Sequence, residues 1–395
     1  MRKILKCMFC FCVLSLCSNL NAQGQKLEIE GIIIDESGEP LPYVSVVILS
    51  ENIGTSSNDE GYFYFSVAQG LKSETVTISS IGYKTQEFSV AKLASVATNK
   101  IVMEEAVSEL DAVALESIKA DLVVKKALQS LEQNTVNKLH QLKVLYRRAS
   151  SEGGKAKFLI EQYANLYDNG LTKPVTSLEI VESRQSEDYR SLFVKQNGHA
   201  LSVMTKLNPL RYPKRVLSFE YKQIGASVFN NEDVRIIKGT KEGDKSIILY
   251  IGTDTYKVYK VETSARNLKG TYIFRENSKG KLYLSYHTRV FNAMQKLPPE
   301  KLKQMQKQGF KGKRMKVSYL HEAFILGINM ERKRFKVKDY GHANADMTDI
   351  KMPYNKAFWE TLPMPLDTKL FKKIKRELQD NYGVPLEEQY QAVNK

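Results

Sequence analysis

Short segments of alternating or β-branched residues, each closed by a turn signal, run through most of the chain and point it toward a sheet-rich fold. Leu27–Asp35 reads as a strand. Asp35-Glu36-Ser37-Gly38-Glu39-Pro40 reads as the turn that ends it, because Asp and Ser side chains bond nearby backbone and Gly relaxes φ. Tyr43–Leu49 is rich in β-branched residues. Asn58-Asp59-Glu60-Gly61 is a second turn, with the aromatic strand Tyr62–Val67 beyond it. Glu74–Ser79 puts Val76 and Ile78 on one face. Strands at this spacing predict a small antiparallel sandwich over residues 27–103.

Residues 136–350 repeat the pattern on a larger scale. Candidate strands are Gln141–Arg148, Lys157–Tyr167, Ser177–Arg184, Lys222–Phe229, Val234–Lys238, Lys245–Ile251, Tyr256–Ser264, Lys281–Val290, Arg314–Ile325 and Asn329–Lys338. Turn signals such as Glu242-Gly243-Asp244, Gly252-Thr253-Asp254 and Asn277-Ser278-Lys279-Gly280 separate several of them. A long meander of this kind curls into a strongly curved sheet. A short helix is expected over His199–Lys206. Residues 104–135 read as a linker and an amphipathic helix. Ala120, Val123, Val124, Ala127, Leu128 and Leu131 form its stripe, with Lys125, Lys126 and Gln129 opposite. Residues 351–395 read as a fixed loop holding Trp359, then a helix over Asp367–Tyr382 with Leu370, Phe371, Ile374 and Leu378 inward.

The N-terminal turns are specific. Gly31…Asp35-x-x-Gly38-x-Pro40-Leu41-Pro42-Tyr43-Val44-Ser45-Val46, then Gly54-Thr55…Asn58-x-x-Gly61-x-Phe63, then Ile78-Ser79-Ser80-Ile81-Gly82-Tyr83 resembles the carboxypeptidase regulatory-like domain. The resemblance implies a seven-stranded, transthyretin-like β-sandwich that is not itself catalytic. Domains of this kind extend starch-utilisation-type TonB-dependent transporters and other secreted envelope proteins. The whole chain resembles secreted envelope proteins carrying that domain. The expected fold is therefore mainly β: an N-terminal seven-stranded antiparallel β-sandwich, a linking helix, then a large curved antiparallel sheet or open barrel with a few helices.

Catalytic signals are missing. A zinc carboxypeptidase needs a His-x-x-Glu pair, but the residues three after the histidines are Lys143, Ser202, Val290, Phe324 and Ala345. His321-Glu322 is not followed by a second histidine at the helical spacing that would put two imidazoles on one metal. His140, His199 and His287 sit in unrelated segments and read as structural. Asp346-Met347-Thr348-Asp349 reads as turn chemistry rather than a metal loop. No nucleophile elbow, phosphate loop or dinucleotide fingerprint occurs, so no cofactor is expected.

Met1-Arg2-Lys3, an apolar run from Ile4 to Cys17 and Ala22 together read as a secretory signal peptide over residues 1–22. All four cysteines (Cys7, Cys10, Cys12, Cys17) lie in that leader, which leaves the mature chain no disulfide and no thiol nucleophile. Leu16 before Cys17 departs from the small residue that lipidation favours. The expected address is the periplasm or the outer membrane. The formal charge of +15 is concentrated in two segments. Lys296, Lys301, Lys303, Lys307, Lys311, Lys313, Arg314 and Lys316 face a single acid, Glu300, with Pro299 and Gly309 marking a helix between them. Arg332-Lys333-Arg334-Phe335-Lys336-Val337-Lys338 alternates as a strand would. Lys313, Arg314, Lys316, Arg332, Lys333 and Arg334 are read as one face for anionic lipid headgroups. An envelope lipid or an outer-membrane protein is the expected partner, and nucleic acid is not. The expected function is non-enzymatic, with the sandwich as a docking module and the β-rich domain binding an envelope component. A lipid or lipoprotein carrier and an unrecognised hydrolase are the alternatives.

Overall fold

The computed structural model describes residues 26–106, 119–173, 175–192, 195–307, 309–337, 341–362 and 364–393. The leader and the segment Ser108–Leu115 lie outside the described residues.

The N-terminal strands are β1 (Lys26–Asp35), β2 (Ser45–Ile48), β3 (Ile53–Ser56), β4 (Tyr62–Ala68), β5 (Thr75–Ser79), β6 (Gln86–Ser89) and β7 (Asn99–Met103). They form two sheets, ordered β4-β1-β7 and β6-β5-β2-β3. The period-two pattern is obeyed in β4, where Phe63, Phe65 and Val67 are buried while Tyr62, Tyr64 and Ser66 are half-exposed. With Ile29, Ile33, Val46 and Ile78 they make a core of their own. One pairing departs from the antiparallel expectation: β1 and β7 run parallel, Gly31 opposite Asn99 through Asp35 opposite Met103. A parallel return needs a crossover. Helix α1 (Val90–Ala94), capped by the Ser89 hydroxyl, lies in that connection and packs on β1. Tyr43 also departs from its expected place in a strand. Its φ of 60° is left-handed, and strand β2 begins only at Ser45.

The second sheet of the sandwich continues into the rest of the molecule, because Ile53 of β3 pairs with Gly327. The remaining strands are β8 (His140–Glu152), β9 (Lys155–Asp168), β10 (Val175–Gln185), β11 (Glu220–Phe229), β12 (Glu232–Lys241), β13 (Lys245–Gly252), β14 (Val258–Ala265), β15 (Leu268–Glu276), β16 (Leu282–Lys296) and β17 (Arg314–Asn329). They form one curved antiparallel half-barrel, β11 to β17 in sequence order and then β8, β9 and β10. β15 has no counterpart in the sequence reading, because the Arg266-Asn267 turn before it contains neither Gly nor Pro. The expected strand Asn329–Lys338 does not form a separate strand over its described residues 329–337. β17 runs on through Asn329, and Arg332–Arg334 form a 3-10 turn.

The sheet is covered on both sides. Leu142, Val144, Phe158, Ile160, Ile237, Leu249, Val261 and Phe274 come from strands far apart in the order yet share one cluster, so their face is the inner one. Helix α2 (Ala120–Gln129) buries Val123, Val124, Ala127 and Leu128 in it, as its stripe predicts. Helix α3 (Ala200–Lys206) adds Leu201 and Met204. Helix α4 (Pro299–Lys307) belongs to none of the cores, whereas α5 (Lys356–Thr361), α6 (Lys369–Asp380) and α7 (Leu386–Val393) cover β8, β9 and β10 on the outer face. Phe371, Ile374 and Leu378 of α6 are buried. Leu370, expected with them, is exposed because it lies off the stripe. Trp359 is buried on α5, a short helix rather than a loop.

Candidate functional site: a basic rim and an inner polar cavity

The register of β16 and β17 places Lys296 opposite Arg314 at the tip of a hairpin. The turns Lys241–Lys245, Ala265–Leu268 and Glu152–Lys155 lie at the same end of the sheet. Helix α4 bridges the hairpin tip. Gly309, at φ +88°, lies just beyond it, in the left-handed conformation that terminates helices. No residue of α4 is buried; Leu302 and Met305 are half-covered and Lys301, Lys303 and Lys307 are exposed. Lys313, Arg314 and Lys316 are exposed beside it, as are Lys241, Lys245, Arg266 and Lys269 on the adjoining turns. Apolar surface is interleaved with these charges. Met294 is 52% exposed at the hairpin, and an open groove of about 230 Å³ is lined by Leu207, Tyr212, Phe219, Ile247 and Leu268. The acids at this rim are few: Glu220, Glu242, Asp244 and Glu300 are exposed, and Glu152 is buried.

The six residues expected to make one face do not lie together. Lys313, Arg314 and Lys316 are at the start of β17, while Arg332, Lys333 and Arg334 follow its end. At ~3.3 Å per residue the sixteen-residue strand separates the two groups by roughly 50 Å. Arg334 instead pairs with Glu331 at 2.6 Å.

Behind the rim, the inner face of the sheet turns polar. Tyr272, His287, Ala323, Tyr146, Gln162 and Ser183 lie in one row across β15, β16, β17, β8, β9 and β10. The next row toward the rim carries Arg289, His321 and Arg148 on adjacent strands. The row after that carries the stacked pair Phe291 and Tyr319, 4.7 Å apart. His321 Nδ1 lies 2.7 Å from the Tyr146 hydroxyl. His199, which caps α3, accepts from the Leu201 amide at Nδ1, so its Nε2 carries the proton donated to Gln162 at 2.8 Å. Burial, with His342 beside it, pushes His199 down to about 3, so the ring is neutral. His287 is held down to about 3 by burial and by Arg289. Burial and the flanking Arg148 and Arg289 hold His321 well below the usual histidine range. The three rings are therefore dipoles, not charges.

Between these rows and the rim lies a cavity of about 240 Å³. Arg148, Ser150, Glu152, Gln196, Gln295 and Tyr319 contribute to its wall. Sequence reasoning treated His199 and His287 as isolated structural residues and did not single out Arg148 or Arg289. The usable signal was parity: Arg148 follows Val144 and Tyr146 on the buried face of its strand.

A second charged cluster sits on the outer face and closes the molecule. Arg147, 1% exposed, lies within 2.9 Å of Glu161 and also pairs with Asp367. Arg184 reaches Glu161 at 2.6 Å, and Lys375 reaches Asp367 at 2.7 Å. Burial opposes ionisation of Glu161, but Arg184, Lys375 and Arg147 outweigh it and hold the carboxyl far below the usual range. Glu322 has the opposite fate. Burial and Asp59 raise it to about 7 against the pull of Arg147, and Tyr286 donates to it at 3.2 Å. Tyr43 from the sandwich stacks on Tyr286 at 4.4 Å and donates to Asp59. The Asn58 amide donates to the Leu366 carbonyl at 2.7 Å. The cluster fastens the sandwich, the half-barrel and the C-terminal segment together. Glu161 and Glu322 are buried, and neither lines any of four cavities found among the described residues.

Asp346 serves a turn: it accepts from Gln196 and Thr348 amides at 2.7 and 2.9 Å, while Asp349 pairs with Lys195. Among the described residues no three His, Cys, Asp or Glu side chains are grouped to hold a metal. Among them, too, no helix is long and apolar enough to cross a membrane.

Comparison with known proteins agrees with the strand pattern and the two-sheet architecture of the N-terminal part. Its family model matches residues 29–115. This segment is a CarboxypepD_reg-like domain. The TonB-dependent receptor SusC of Bacteroides thetaiotaomicron is 34% identical over 73 residues, which is 18% of this chain and 7% of that receptor. The likeness thus spans a small fraction of the receptor's length and is confined to about the size of the CarboxypepD_reg-like domain. Two solved structures also match, each over about half of the chain. A LolA superfamily protein from Nitrosomonas europaea covers 56% of this chain and 99% of its own length, with 12% identity and a TM-score of 0.26. Pseudomonas aeruginosa MucB, solved with MucA, covers 52% of this chain and 98% of its own, with 9% identity and a TM-score of 0.19. At such scores neither bears on what the half-barrel does.

Proposed function

We propose that the protein is a non-enzymatic, exported component of the Gram-negative envelope whose half-barrel rests on an anionic lipid surface by its basic rim. The carrying observation is helix α4 with its flanks: a basic helix with no buried residue, Leu302 and Met305 half-covered on one side, beside an exposed Met294. A cationic helix with a few apolar side chains, held clear of the core, suits the headgroup region, where each Lys or Arg near an anionic leaflet contributes about 1 kcal/mol. The CarboxypepD_reg-like domain is the structural and docking module, fastened at the opposite end of β17. The carrier alternative requires an apolar cavity under the sheet. The inner face is packed by α2 and α3, and three cavities among the described residues, at about 230–270 Å³, fall below the ~300–1,000 Å³ of ordinary ligand pockets. The hydrolase alternative would gain from a cleft with converging carboxylates, and Glu161 and Glu322 are buried instead.

Vesicle co-sedimentation of residues 23–395 tests this. Binding to phosphatidylglycerol-containing vesicles is expected at low salt, falling as salt screens the charges. Lys313, Arg314 and Lys316 changed together to Ser lowers it. The same change at Arg332, Lys333 and Arg334 leaves it unaltered, because those residues lie at the far end of the strand. Equal effects from the two triple variants, or none from either, would defeat the rim reading.

A further inference from the structure

We propose that the cavity behind the β16–β17 hairpin is a phosphate site, with the Arg148 guanidinium as its clamp and Arg289 as a second cation beside it. The inference does not rest on the rim: it stands on two half-buried arginines, each with a sealed Nε and no carboxylate at ion-pair distance among the described residues. Arg147, Arg184, Arg190 and Arg211 each lie within ion-pair distance of a carboxylate. Among the described residues Arg148 and Arg289 have none. The Nε atoms of both are sealed from solvent and have no acceptor. The side-chain contact of Arg148 is a long one, from Nη1 to the Met347 Sδ at 3.8 Å, with the Tyr319 ring 5.0 Å away. A guanidinium carries five donors in a planar fork, and a sealed Nε–H left without an acceptor is costly. An arrangement kept at that cost is suited to a ligand that supplies the acceptors.

The surrounding groups favour an oxyanion. The register places Arg289 and Arg148 on either side of His321, on neighbouring strands, about 10 Å apart. Burial of Arg148 beside Arg190 weakens its hold on its proton, the response of a cation that lacks a counterion. The acids nearby are already engaged. Glu152 accepts from the backbone amides of Ser191 and Leu192 at 2.9–3.0 Å. Asp188 is bound at both oxygens by Arg190, and Asp346 by the Gln196 and Thr348 amides. Ser150 and Ser151 add hydroxyls to the wall. A volume of about 240 Å³ accommodates a phosphate with a small polar substituent, and Arg pairs with phosphate through two parallel hydrogen bonds. Gln295 and Val317 place the cavity beside the hairpin tip, so the phosphate could come from a lipid headgroup at the rim or from a free ester.

The test uses residues 23–395, titrated with sn-glycerol 3-phosphate and inorganic phosphate by calorimetry, and with phosphatidylglycerol vesicles by co-sedimentation. Saturable binding of either soluble probe identifies a free phosphate ester as the source. Binding confined to vesicles and weakened by Arg148→Gln identifies a headgroup. Arg148→Gln is expected to lower affinity about tenfold or more, and Arg289→Gln several-fold. Arg148→Lys is not expected to rescue it, since the fork is lost. Arg148→Gln should leave the unliganded protein no less heat-stable, which separates a ligand clamp from a structural residue. The triple Ser variant at Lys313, Arg314 and Lys316 keeps soluble-probe binding, so failure of the rim and failure of this site are separable. The proposal is overturned if wild-type protein shows no phosphate-dependent rise in Tm over chloride at equal ionic strength and binds vesicles no better than Arg148→Gln. A Tm rise that Arg148→Gln retains in full overturns it equally.

Discussion

Replacing Glu322 by Gln should stabilise the protein at alkaline pH and leave it nearly unchanged at acidic pH. Glu322 is fully buried on the outer face of β17, where burial and the nearby Asp59 and Asp367 disfavour its charge. Arg147 does not cancel this, because it is already paired with Glu161 and Asp367. The carboxyl ordinarily titrates at 4.5 and here at about 7. A folded-state value raised above the unfolded one means that the native protein keeps its proton longer. The associated stability is complete below pH 4.5 and is lost as pH rises through about 7. At ~1.4 kcal/mol for each pH unit, that gap is worth about 3 kcal/mol. Gln has the shape of the protonated acid and keeps an oxygen for the Tyr286 hydroxyl. Urea denaturation of both proteins at several pH values isolates the effect, since other titrating groups cancel in the difference. The expected advantage of Glu322→Gln is near zero at pH 4.5, grows across the interval and levels off at roughly 1–3 kcal/mol by pH 8.5. An advantage that does not change with pH, or that shrinks as pH rises, would show that Glu322 is ionised in the folded protein.

Arg147→Met removes the central cation of the outer cluster while keeping apolar contact with Phe371. It should cost about 3–5 kcal/mol in urea denaturation, and a loss under about 1 kcal/mol would mean that the remaining cations suffice. Arg184→Met weakens the cations that hold Glu161 ionised. Because a depressed carboxyl contributes stability above its unfolded value that is lost as pH falls, acid unfolding should begin at higher pH, as far-ultraviolet circular dichroism would follow; an unmoved acid limb would count against the assignment. A protease site inserted between residues 107 and 118 and then cut should leave the sandwich attached, held by the β3–β17 pairing, the Tyr43–Tyr286 stack and the Asn58–Leu366 hydrogen bond. The halves should co-elute on gel filtration and separate only in denaturant; separation in native buffer would refute that docking.

The parts of the fold that were legible in the sequence are those set by local chemistry. Alternation in Tyr62–Ala68, the stripe of α2 and the Pro299 and Gly309 signals around α4 each depend on neighbours within a few residues, and each appears as expected. The errors fall where tertiary context decides. Arg332–Lys338 alternates in sequence like a strand, but β17 already exhausts its pairing with β8 at Asn329, so the chain turns at Arg332–Arg334 instead. β15 follows a turn without Gly or Pro and is held by its ladder with β16.

The site was hidden for a related reason. Arg148, Arg289 and His321 come from three strands separated by long stretches of sequence, and only the register of β8, β17 and β16 brings them into one row. Arg147 and Arg148 are adjacent in sequence and chemically alike, yet the pleat sends them to opposite faces. Arg147 turns outward to Glu161, Asp367 and the Phe371 ring, and becomes part of what holds three segments together. Arg148 turns inward to a cavity whose wall acid, Glu152, is taken up by the Ser191 and Leu192 amides. A one-residue slip of β8 would exchange them, placing the unpaired cation among the acids and the paired one at the cavity. The difference between a structural arginine and a candidate ligand clamp is therefore a property of register, not of residue type, and the two substitutions Arg147→Met and Arg148→Gln should separate cleanly: the first lowering stability with no bearing on phosphate, the second lowering phosphate affinity with no loss of stability.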